Sequence, residues 1–181
     1  MSTKPYKQVG FTLVEVLVYL GLFVILCGGA VVSAYNIVQI SNRNQTKSMV
    51  QEEGNFIIAK INWVLSGVDA INQPAVGTSG SLLSINKVTG LDALNQPIIT
   101  PITIGFPTGD VIISYPNNPV PNTFTLNNSN IKISNFNFTH NSGSGGGTNP
   151  ESIQASFTIN AKTETGADYS QIFSTTVFLR K

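Results

Sequence analysis

Apolar and polar positions follow three regimes along this chain of 181 residues. Residues 1–10 are mostly polar, with Lys4 and Lys7 and no acid. An apolar run begins at Phe11, and from Val16 to Asn42 it carries no Asp, Glu, Lys or Arg. About 20 such residues at 1.5 Å each cover about 30 Å, the thickness of a bilayer core, which predicts a membrane helix. The helical period then persists with a polar back. Val50, Ile57, Ile61, Val64, Val68 and Ile71 draw one apolar stripe, and Asn72 and Pro74 end it. The pattern predicts a helix from Phe11 to Ile71, about 90 Å long. Gly54 and the Asn/Ser/Thr-rich stretch 41–48 are its weak points.

Beyond residue 74 the period becomes two. "ESIQASFTINA" places Ile153, Ala155, Phe157, Ile159 and Ala161 on one face and Gln154, Ser156, Thr158 and Asn160 on the other. "YSQIFSTTVFLRK" places Tyr169, Phe173, Val177 and Leu179 together. In "NIKISNFNFTH" the parity slips between Ile133 and Phe136, which predicts a bulge at Ser134–Asn135. Shorter strands are predicted at 81–87, 98–104, 110–115 and 123–127, punctuated by Pro and Asn. The fold class is α+β: a long N-terminal helix, membrane half plus amphipathic half, packed on an antiparallel sheet domain.

Charge changes the picture mainly by exclusion. Charged residues are 10% of the chain and the formal net charge is +1. That balance offers no basic patch for phosphates, so no nucleic-acid partner is predicted. The one cysteine, Cys27, lies in the apolar run and allows no disulfide or metal quartet within the chain. The one histidine, His140, opens the glycine-rich stretch 140–151 and reads as an exposed loop residue. That stretch lacks the Lys-Ser/Thr ending of a phosphate loop. Trp63 reads as packing against the sheet. Asp69, Asp92, Asp110, Glu151, Glu164 and Asp168 show no metal-ligand spacing. The sequence therefore predicts no enzyme, no catalytic residue, no metal and no cofactor.

One carboxylate stands out. Glu15 sits near the start of the apolar run, where a charge is costly in lipid. It closes "GFTLVE", Gly10 to Glu15, which begins at the last residue of the basic leader. This constellation resembles the processing motif of type IV pilins and type II secretion pseudopilins. The resemblance implies cleavage between Gly10 and Phe11 by a prepilin peptidase, then N-methylation of Phe11. It also implies an assembly role for Glu15, paired with the N-terminal amine of a neighbouring subunit, where two costly charges offset each other. The segments would be a cleaved leader at 1–10, a transmembrane and filament-core helix at 11–35, an amphipathic helix at 36–73 and a β-domain at 74–181. Implied partners are the peptidase, other pilin or pseudopilin subunits, the inner-membrane assembly platform and the membrane itself. Implied localisation is a single-pass inner-membrane protein, N-terminus cytoplasmic and β-domain outside, then a filament.

Within that family, "NFIIAKINWVLSGVDAI" (55–71), "ISNFNFT" and "FSTTVFLRK" resemble segments of J-type minor pseudopilins and W-type minor pilins. The missing cysteine pair and the lack of a proline in the apolar helix point the same way, to a minor subunit. The competing reading is a secreted or membrane-anchored β-rich binding module. Its ordinary signal would be cut near Val32-Ser33-Ala34. Glu15 discriminates, because an acid early in the apolar core handicaps an ordinary signal.

Overall fold

A computed structural model of the chain describes residues 10–116, 121–143, 150–164 and 166–179. The architecture is α+β, with a long helix α1 (Leu13–Leu65) followed by strands in two antiparallel sheets. The chain divides into two units, Met1–Arg43 and Asn44–Lys181.

In the first unit, α1 is apolar on every side. Leu17, Phe23, Leu26, Val31 and Ile37 are all exposed, and the apolar window buries nothing within the protein. A helix greasy all round suits lipid or a bundle of like helices rather than water. By length and composition it can cross a membrane.

In the second unit, α1 buries one stripe: Thr46, Val50, Gly54, Ile57, Ile61, Val64 and Leu65. Each large aliphatic side chain buried there is worth about 1.5–3 kcal/mol. The strands are β1 (Val68–Gln73), β2 (Ser79–Gly80), β3 (Leu82–Leu91), β4 (Pro97–Gly105), β5 (Ile112–Tyr115), β6 (Asn122–Thr125), β7 (Ile131–Asn141), β8 (Ser152–Lys162) and β9 (Asp168–Phe178). One sheet has the order β1-β3-β4-β5-β6 and the other β2-β7-β8-β9. Leu83, Ile85, Ile102, Ile104 and Ile113 face inward from the first sheet, and Phe138, Ile153, Phe157 and Ile159 from the second. With the helix stripe they form one core. A run of rings ties it together: Phe106 to Phe136 at 5.6 Å, Phe136 to Phe157 at 5.7 Å and Phe157 to Phe173 at 5.5 Å between centroids.

The alternation read in β8 and β9 holds, pairing Phe157 with Phe173 and Ile153 with Val177. The bulge in β7 is present: register shifts between Ser134 and Asn137, and Asn135 has φ 53°. That extra residue lets Ile131, Ile133, Phe136, Phe138 and His140 all turn inward from one strand.

The helix ends earlier than its apolar stripe suggested. α1 stops at Leu65, and Val68 and Ile71 belong to β1. Gly67, at φ 71°, supplies the left-handed turn that ends a helix. Val68 and Ile71 lie three apart, a spacing that would put them on opposite faces of a regular strand. A register shift between Val68 and Ala70 lets both pack on the core, mimicking helical spacing. The short β2 has no signature in the sequence. Gly54 is not a weak point but a close approach: a Cβ there would overlap the Phe173 ring. Trp63 meets Tyr115 edge-on, centroids 6.3 Å apart, while the residue stays 45% exposed. The glycine-rich residues 144–149 and the terminal Arg180 and Lys181 lie outside the described residues.

Candidate functional site

The candidate site is the start of α1. Gly10, Phe11 and Thr12 precede the first helical residue, Leu13, so the Gly10–Phe11 bond lies outside regular structure. A peptidase reads extended backbone, and nothing lies within 4 Å of where a Gly10 side chain would project. Phe11 is 76% exposed.

Thr12 is the N-cap. Its Oγ1 accepts from the Glu15 N–H at 3.3 Å, and its carbonyl accepts from Glu15 N at 3.1 Å and Val16 N at 3.2 Å. Glu15 is the third helical residue, where a carboxylate is favoured by the partial positive charge of the helix start. Thr12-x-x-Glu15 has the spacing of a capping box, a signal the sequence reading did not use. The Glu15 carboxylate, however, bonds forward: Tyr19 Oη donates to Glu15 Oε1 at 3.3 Å. Gly10, Phe11 and Glu15 are thus brought into one short segment, as their spacing implied. Sequence reasoning missed Tyr19, although its position four residues on was the available signal.

A second polar cluster contradicts the sequence reading. His140 is not an exposed loop residue; it is 2% exposed and lies in β7. Its Nδ1 is 2.9 Å from the Pro74 carbonyl and its Nε2 is 2.7 Å from Glu151 Oε1. Both ring nitrogens thus meet oxygen atoms, one of the backbone and one of a carboxyl group. Backbone bonds from Gly77 N to His140 O and from His140 N to Thr78 O fix the strand there. The β7 bulge explains the error, because it carries the inward parity past Phe138 to His140. This cluster ties the segment around Pro74 to β7 and to Glu151, which directly precedes β8.

A third cluster closes the far end of α1. Lys87 Nζ donates to the carbonyls of Trp63, at 2.6 Å, and Ser66, and lies 4.9 Å from the centroid of the Trp63 ring. Burial lowers its pKa from the ordinary 10.5.

Residues 7–31 match the family model described as the prokaryotic N-terminal methylation motif. No curated protein and no solved structure matches the chain. The matched segment contains Gly10, Phe11 and Glu15 together with the start of the apolar helix, and it supports placing this chain in the type IV pilin and pseudopilin family.

Proposed function

We propose that this chain is a minor structural subunit of a type IV pilus or type II secretion filament. A prepilin peptidase cuts between Gly10 and Phe11 and methylates the new amine of Phe11. The apolar part of α1 stays in the inner membrane, leader side in the cytoplasm and β-domain outside, until the assembly platform transfers it to a filament. The single observation that carries this reading is the methylation motif seated on a helix that is apolar all round. An uncut bond in irregular backbone, a capped helix start and a carboxylate within the first turn are the parts that processing and assembly require. Glu15 then pairs with the Phe11 amine of a neighbouring copy, so that neither charge stands alone in an apolar filament core.

The minor-subunit assignment rests on the lone Cys27 and on an apolar helix with no proline. Against the ordinary-signal alternative, α1 runs through Val32, Ser33 and Ala34, where a signal peptidase would need an extended site. Glu15→Ala tests the assembly role. The variant should be processed and inserted like the parent yet be lost from sheared filaments by about tenfold or more, the scale of a broken buried ion pair. Parental incorporation of Glu15→Ala would refute the pairing role.

A further inference from the structure

The carboxylate of Glu15 has a problem before any neighbour arrives. It waits in an apolar segment that gives it almost nothing to bond with. From Val16 to Ala34 the only side chains with an O–H or S–H are Tyr19, Cys27 and Ser33. Cys27 lies twelve residues from Glu15, about 18 Å along the axis, and Ser33 lies farther still. Thr12 Oγ1 meets the Glu15 backbone N–H, as acceptor, rather than the Glu15 carboxylate. Tyr19 is one turn on, on the same face, and its Oη donates to Glu15 Oε1 at 3.3 Å.

We infer that Tyr19 is a positioning residue for Glu15: its hydroxyl holds one carboxylate oxygen and leaves the other for an incoming ammonium group. The inference rests on the assembly role proposed above for Glu15. In the unassembled subunit the hydrogen bond replaces part of the hydration the carboxylate has lost. It also draws the carboxylate away from the Thr12 N–H, which a closed capping box would engage. A carboxylate folded back on its own helix start would have to be released before it met a neighbour. One held along the helix keeps an acceptor free. The hydroxyl is neutral, so it does not compete with a full positive charge for the same carboxylate.

The test uses the full-length chain in phospholipid bilayers, labelled with 13C at the tyrosine Cζ. The tyrosines are Tyr6, Tyr19, Tyr35, Tyr115 and Tyr169, and Tyr19→Phe identifies the Tyr19 resonance. Glu15→Leu should move that resonance and leave those of Tyr115 and Tyr169 in place. In sheared filaments Tyr19→Phe should be incorporated roughly three- to tenfold less than the parent, on the scale of one hydrogen bond in a membrane helix. A Tyr19 resonance unmoved by Glu15→Leu overturns the contact. A moved resonance with parental incorporation of Tyr19→Phe overturns the positioning role. Parental incorporation of Glu15→Ala overturns the assembly reading itself, whatever the Tyr19 resonance does.

Discussion

Lys87 shows how one residue of β3 completes a distant helix. The last turn of α1 contains no basic residue, and its terminal carbonyls need donors. Lys87 supplies them from the neighbouring sheet, bonding Trp63 O, Ser66 O and Ser66 Oγ. The ammonium also lies where the helix end favours positive charge. Lys87→Met keeps the stem and removes the donors, so it should destabilise the folded chain by about 1–3 kcal/mol in denaturant unfolding. The pH dependence has a defined sign. Burial lowers the Lys87 pKa below 10.5, so between the folded value and 10.5 the unfolded chain binds more protons. Stability contributed by this group therefore rises with pH through that interval and levels off above 10.5. Tyr115, whose pKa burial raises above 10.0, works in the opposite direction at higher pH. The difference between parent and Lys87→Met curves isolates the lysine, and a flat difference across that interval would contradict the assignment.

At the scale of elements, the amphipathic part of α1 depends on a close approach. Gly54 faces Phe173, a residue only 7% exposed whose ring is stacked on Phe157 with an interplanar angle of 13°. Displacing it would disturb its stack on Phe157. Gly54→Ala should gain about 1 kcal/mol of helix propensity and lose more to overlap, for a net loss of about 1–2 kcal/mol. Thermal unfolding of the variant measures it, and a raised midpoint would show that the helix can shift. The same contact marks where the sequence misleads. A glycine within a helical pattern reads as a soft spot, because its partner lies more than a hundred residues away. Strands with clean alternation were legible, since Ile153 to Ala161 need only the sheet period. The β7 bulge was legible too, from the slip before Phe136. The end of α1 was not, because Val68 and Ile71 sit at helical spacing and only Gly67 betrays the stop. His140 was missed for a related reason: the bulge carries it inward, and its partners Pro74 and Glu151 meet it only in the folded chain.

At the scale of the whole molecule, little charge is needed where the chain meets its surroundings. Rows of uncharged polar residues cross both sheets, as in Ser84, Thr103, Ser114 and Thr123 across β3 to β6 and Ser79, Thr139, Gln154 and Thr176 across β2 to β9. Ser79 and Thr139 share a hydrogen bond at 2.8 Å in that second row. The start of the chain is different in kind. Its residues make little sense as folding signals alone, apart from the Thr12 cap, and the processing proposed above would give them a role. Gly10, Phe11 and Glu15 were proposed from their spacing, whereas Tyr19 needed the helix to be built before its hydroxyl met Glu15. The central claim, cleavage and methylation ahead of a retained apolar helix, has a direct measurement. The chain is expressed with a prepilin peptidase, recovered from membranes, and the mass of its mature N-terminus is taken. A chain beginning at N-methylated Phe11 is the expected result. An uncut chain beginning at Met1, or a mature chain beginning at Tyr35, would contradict it.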